Sequence, residues 1–353
     1  MDALLSPRRR AVLQALGAAA VVAACGDRRF ASASASHTFS APTMGSAYTL
    51  KIPSAGVGQA EAEAAHEAVR VALGAVDAAM STHRAESELS RFNRQLKDVP
   101  FALSRETFAV LALADRVSRE TGGAFDVTVG PVVDAWGFGP GRNYRVVGDD
   151  EIALLRPDVG TAMIRLDASR GTAVKARNGV RADLSGIAKG YGVDKAAGAL
   201  QARGIERYMI EAGGEVRTRG VNADGRPWQI AIEAPDAMPQ RPHFVVPLAG
   251  LAMATSGDYR IFFEREGRRY CHEIDPATGA PIANALASVS VVAPDCGYAD
   301  AMATALMVMG CGRGLAFAQA HDLAAYFIVR EPGGRLSVHA SAAFERLGGY
   351  LYT

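Results

Sequence analysis

Apolar and polar positions alternate along this chain with two periods. Over Ala60–Met80, Val69, Leu73, Val76 and Met80 fall on one face at helical spacing, which predicts a helix. Ser87–Asn93 reads as a short capped helix. Ser104 is an N-cap for the next helix, Leu103 is placed to staple onto Phe108, and Gly122-Gly123 stops it. A further helix is expected over Lys189–Arg203, and an almost wholly apolar one begins near Tyr298. Two-residue alternation or short apolar runs predict strands at Gly45–Ile52, Met163–Asp167, Thr172–Ala176, Arg207–Glu211, Trp228–Glu233, His243–Leu248, Ala287–Ala293, Ala325–Arg330 and Arg335–Ala340. Ala254–Tyr259 and His272–Gly279 read as polar turns. Several strands fall as antiparallel neighbours, so the pattern points to an α+β fold rather than a doubly wound sheet.

The first 25 residues break this pattern. Arg8-Arg9-Arg10 precedes an apolar run, Ala11–Ala24, that is too short for an ordinary membrane span. It ends in Val22-Ala23-Ala24-Cys25, small residues before a cysteine, as in a bacterial lipobox with Cys25 as the lipidated residue. Arg9-Arg10 also resembles a twin-arginine export signal, and an ordinary secretory signal is the plainer reading. Each reading puts the mature protein outside the cytoplasm. Residues 26–38, with Ala-Ser repeats, read as a tether, and residues 39–353 as the globular domain.

The chain has 353 residues, 49% hydrophobic, with 38 basic and 37 acidic residues, so a large core is available and no basic excess exists for nucleic acid. Aromatics at 7% also argue against a base-stacking platform. Past Cys25 the cysteines are Cys271, Cys296 and Cys311, without a C-x-x-C pair. Cys296 and Cys311 flank the apolar helix, too far apart for a disulfide, so free thiols are expected. No G-x-S-x-G elbow or H-E-x-x-H motif is present.

Three stretches carry candidate chemistry. Arg181–Asp194 places an acid, a tight small-residue turn at Ser185-Gly186, and Lys189 at a helix start. Free amides there suit phosphate oxygens, and the alternative is a plain junction with Asp183 as cap. Asp300 and Thr304 stand four apart, so both oxygens share one helix face. They read as donors to a hard cation such as Mg²⁺, or as an N-cap and a hydroxyl bonding back to a carbonyl. Trp136 and Phe138 lie among glycines in an apparent loop, as a flat-ring contact or as core aromatics.

Eight motifs in one order resemble the FAD:protein FMN transferases of the ApbE family. They are Thr43–Gly45, Ser87–Asn93, Phe125–Gly139, Asp183–Asp194, Gly213-Gly214, Thr255–Tyr259, His272–Gly279 and Ala299–Leu306. The resemblance implies one catalytic unit of two closely packed lobes with FAD in the cleft. It implies Mg²⁺-dependent transfer of FMN from FAD to a Thr or Ser hydroxyl of an exported redox protein, releasing AMP. Metal ligands would be Asp300, Thr304 and the Gly186 carbonyl; FAD contacts would be Met44, Ala124, Phe125, Asp126, Asp183, Lys189 and Ile274. Lys189, His272 and Asp300 are the catalytic candidates, with the base unassigned. The chain departs from the family at His83, Ser46 and Gly192. The family context implies FAD and an exported acceptor as partners, and a lipid anchor on the periplasmic side of the inner membrane. FAD hydrolysis to FMN and AMP, and flavin binding by an assembly lipoprotein, are the alternatives.

Overall fold

The computed structural model describes residues 35–352 except residue 238. Cys25, the export signal and most of the tether lie outside the described residues. The central sheet has eight strands: β1 (Ser36–Thr43), β2 (Ser46–Pro53), β3 (Tyr208–Ala212), β4 (Glu215–Arg219), β5 (Ala252–Gly257), β6 (Leu286–Ala293), β7 (Ala324–Arg330) and β8 (Leu336–Ala340). They lie side by side in chain order, every neighbour antiparallel. The expected α+β class is therefore met by one long meander with helices inserted between its turns. β1 begins at Ser36 and pairs Thr38 with Lys51, so the last three tether residues are already strand.

The helices are α1 (Gln59–Met80), α2 (Glu88–Arg94), α3 (Arg105–Glu120), α4 (Gly130–Trp136), α5 (Asp149–Leu155), α6 (Ala188–Gln201), α7 (Cys296–Ala320) and α8 (Ala342–Glu345). Both faces of the sheet are covered. On one, Leu50, Ile52 and Ile210 meet Val69 and Leu73 of α1 and Val193 and Leu200 of α6. On the other, Met209, Met253 and Val292 meet Trp228, Ile230, Val246 and Leu248 of a three-stranded sheet built from Trp228–Glu233, Pro242–Leu248 and Tyr350–Leu351. Two-sided cover explains why β3 and β6 are buried at every position.

α7 is long and apolar enough to cross a membrane by length and composition, but Met302, Ala303 and Leu306 are buried in the main core with Val289 and Val291 of β6. It extends well beyond the length expected from sequence, past a kink at Gly310 with φ of 76°, so Cys311 lies inside it. Cys271, Cys296 and Cys311 are free thiols. The same core takes in Leu89 and Phe92 of α2 and Val110, Leu111 and Val117 of α3.

Two local readings are corrected, and of the two readings of Trp136 the core one holds. Ala254–Gly257 lies in β5 rather than a turn, because each of its residues pairs with β6, while β4 pairs only the preceding Ala252 and Met253. The Ala124–Gly139 stretch contains α4, opened by Pro131 in its first turn and closed by Gly137 at φ of 84°. Trp136 is a core side chain: its Nε1 donates to the Gly279 carbonyl at 2.9 Å and its ring lies 5.5 Å from Tyr270.

Candidate functional site

The site forms where α6 crosses the start of α7. The crossing is close because Gly190 has no side chain; a Cβ there would lie 2.4 Å from the Cys296 carbonyl oxygen and 2.8 Å from the Asp300 Cβ. One turn on, Asp194 caps α7 from outside, accepting from the Cys296 and Gly297 amides at 3.0 and 2.9 Å. The helix therefore starts at Cys296, and Asp300 sits inside it rather than capping it. Asp300 is buried, and its Oδ2 accepts from the Gly190 amide at 2.9 Å. Burial pushes its carboxyl up, while the Lys189 ammonium and the Gly190 amide pull it back.

Thr304, one turn further along α7, shares a hydrogen bond of 3.1 Å with the Ser256 hydroxyl on β5. A Cβ on Gly186 would lie 3.0 Å from Thr304 Oγ1 and 3.2 Å from the Phe125 ring. The small-residue turn, the α7 face and Phe125 thus meet at one place, as their spacing in the sequence could not show.

The turn itself is tighter than expected. The Asp183 carboxylate accepts from the Ser185 amide and hydroxyl at 2.8 and 2.5 Å, and the Ile187 and Ala188 amides donate to the Leu184 carbonyl. Most of the amides expected to cradle a phosphate are already bonded within the turn. Asp183 braces the turn and makes no cap to α6.

Lys189 reaches across to β4, where its ammonium donates to Glu215 Oε1 at 2.5 Å. Burial pulls Lys189 down, but Glu215 and Asp300 outweigh it and hold the ammonium above its ordinary range. Burial pushes Glu215 up as well, and raises Glu211 to about 7 and Glu273 to about 8. Glu215 Oε2 and Ser46 Oγ are buried without a hydrogen-bond partner among the described side chains. The surroundings of Lys189 are rich in acceptors and short of positive charge.

His272 stands at the rim, its side chain one-third exposed. Its Nδ1 lies 3.2 Å from the Ile261 carbonyl, which makes Nδ1 the protonated nitrogen and leaves Nε2 as an acceptor. Enclosure by protein pushes the imidazole down to about 4, against the pull of that carbonyl. The hairpin that carries it, Phe262–Arg265 paired with Arg268–Cys271, stacks Phe263 on Tyr270 and packs on Trp136 and Phe138. This joins the His272–Gly279 and Phe125–Gly139 motifs.

The remaining candidates are placed unevenly. Met44 takes a positive φ of 47° in the β1–β2 turn, and its Sδ would lie 3.2 Å from a Cβ on Gly192. Ala124 and Phe125 are buried beside the turn. The Asp126 carboxylate folds onto the Thr128 amide and hydroxyl at 2.7 and 2.6 Å. Ile274 is buried with Val132 and Trp136 in a side cluster. Sequence reasoning missed Glu215, although an acid directly after Gly213-Gly214 in an apolar region was the available signal.

A family model described as the ApbE family matches residues 44–327. The chain belongs to the ApbE family. Among the ApbE relatives, the FAD:protein FMN transferase of Haemophilus influenzae is 43% identical over 315 residues, covering 88% of this chain and 91% of that protein. The protein of the same name from Vibrio cholerae is 44% identical over 307 residues, covering 87% and 91%. The solved flavin transferase ApbE from Vibrio cholerae superposes with a TM-score of 0.80 at 41% identity, covering 89% of this chain and 99% of that one. The apo flavinyl transferase ApbE of Pseudomonas stutzeri gives 0.81 at 38% identity, covering 89% and 96%. The α+β architecture is the ApbE fold.

Among the described residues no three His, Cys, Asp or Glu side chains are arranged to hold a metal. The donors gathered at the ApbE site are instead a carboxylate, a hydroxyl and a turn backbone, all hard oxygens, beside an excess of buried acids. That chemistry fits a hard cation.

Proposed function

We propose that this chain is an FAD:protein FMN transferase that moves FMN from FAD to a Thr or Ser hydroxyl of an exported redox protein and releases AMP. The observation that carries the reading is the meeting of Gly186, Thr304 and Asp300 at the α6–α7 crossing, in a chain with transferase relatives at 43% identity. Asp300, Thr304 and the Gly186 carbonyl would hold Mg²⁺. When bound, that ion neutralises charge on the pyrophosphate and orients the leaving group.

The chain's own residues do the rest. Lys189, kept protonated between Glu215 and Asp300, offers positive charge to the phosphates. Met44, Ala124–Asp126, Asp183 and Ile274 line or brace the FAD-binding region. The acceptor oxygen forms a bond to the FMN phosphorus as the bond from that phosphorus to the bridging oxygen breaks, and AMP leaves with that oxygen. His272 Nε2, unprotonated and carried on a side chain that is one-third exposed, takes the hydroxyl proton. Cys25 would carry the lipid that tethers the enzyme to the periplasmic side of the inner membrane.

The test is a denaturing gel of an exported flavoprotein domain incubated with the enzyme, FAD and Mg²⁺. A fluorescent acceptor band that disappears with a chelator or without the acceptor hydroxyl is the expected result. No band with any acceptor would overturn the reading.

A further inference from the structure

Lys175 is one of the largest fully buried side chains in the molecule, 1% exposed, at the end of the strand Thr172–Lys175. An ammonium so placed is costly unless its protons are satisfied. All three of its hydrogen bonds go to backbone carbonyls: Asn93 at 2.8 Å, Val180 at 3.0 Å and Asn178 at 3.3 Å. It joins the C-terminal turn of α2 to the segment that runs into the Asp183–Gly186 turn. Asn93 makes a second tie between the same two segments. Its side-chain amide donates to the Ala182 carbonyl at 2.8 Å and accepts from the Ala182 amide at 2.7 Å, as a neighbouring strand would.

The other side of that segment is held as firmly. The Asp183 amide donates to the Val127 carbonyl at 2.6 Å, Arg181 bridges to Val129, and a Cβ on Gly130 would lie 2.6 Å from the Arg181 carbonyl oxygen. Residues 181–183 are therefore gripped from both sides directly before the turn that faces Thr304. Without the Lys175 ammonium, three carbonyl oxygens would converge with no proton between them, and the segment would move away from α2.

We propose that Lys175 and Asn93 are positioning residues that set the Asp183–Gly186 turn at the distance from α7 that FAD binding requires. The inference rests on the flavin reading above and extends it to two residues remote from the reacting atoms. A site held to within a fraction of an ångström depends on such supporting bonds.

The test uses the full chain with Lys175→Met, which keeps length and loses the protons, and with Asn93→Ala, which keeps the lysine and carries the same test if Lys175→Met does not fold. FAD affinity is measured by flavin fluorescence with and without Mg²⁺, and backbone amide exchange by mass spectrometry. The expected result is FAD binding weakened about tenfold or more, with faster exchange confined to residues 181–190 and none in β3 or β6. Unchanged FAD affinity would overturn the proposal. So would faster exchange spread evenly through β3 and β6, the result of a purely structural role. An unaltered chain that fails to bind FAD would instead overturn the flavin reading, and the exchange pattern would then decide the clamp.

Discussion

At Asp300 the chemistry and the packing use the same carboxylate. One oxygen is tied to the Gly190 amide, and the group is buried beside Lys189. Asp300→Ala removes a hard donor without filling its place. Loss of supporting groups around a metal costs about 10- to 100-fold, so loss of a ligand is expected to cut metal-dependent FAD cleavage about 100-fold or more. AMP release at saturating Mg²⁺ checks this, and full activity would remove the metal assignment. His272 gives a second prediction. With its imidazole held down to about 4, the ring is neutral from neutral pH to pH 5.5, where an ordinary histidine is mostly protonated. Imidazole NMR should show no titration near 6.5, and FMN transfer should not fall through this group until the pH approaches 4. A midpoint near 6.5 would mean that the ring takes up its proton as an ordinary histidine does, and transfer would then fall below that pH. The individual candidates were legible in the sequence, but their partners were not. Lys189 was visible as a charge beside a turn, whereas Glu215, its ion-pair partner, lies 26 positions away.

Between elements, the α6–α7 crossing controls the site. Gly190→Ala would drive a methyl to 2.4 Å from a backbone oxygen, which no rotamer change relieves. Overpacking of this kind costs about 1–3 kcal/mol, and it should also displace Asp300. Denaturant unfolding should show the stability loss, with FAD cleavage falling further than stability alone explains. Unchanged stability would mean that the helices separate freely. Elements with a clear period were legible: α1 ends at Met80 and α3 takes Ser104 as cap, as the pattern indicated. β5 and α4 were not. Ala254–Gly257 has no alternation because small residues are wanted on both of its faces, and α4 is seven residues bounded by glycines. The tight turn was legible as a turn but not as one that consumes its own amides.

For the molecule as a whole, a sheet built in chain order makes each strand depend on its neighbours in sequence. The edge strand β1 is a case in point. Its Phe39 ring stacks on His66 of α1 at 4.5 Å, and all eight of its residues pair with β2. A chain beginning at residue 44 should melt several degrees below one beginning at residue 35, since about 1 kcal/mol shifts a domain of this size by about 2–4 °C. Equal melting temperatures for both would mean that β1 adds nothing. The class and the likeness to ApbE proteins were readable because motif order survives in sequence, while the meander was not, because strand pairing is set by contacts across the sheet.

A transferase differs from a hydrolase in whether the phosphoryl group reaches a protein hydroxyl or water. The direct measurement counts AMP released and flavin bound covalently to the acceptor in the same sample, with enzyme, FAD, Mg²⁺ and an exported flavoprotein domain. Transfer predicts equal amounts of the two, with both lost in Asp300→Ala. AMP released without labelled acceptor would contradict it and make the chain an FAD hydrolase.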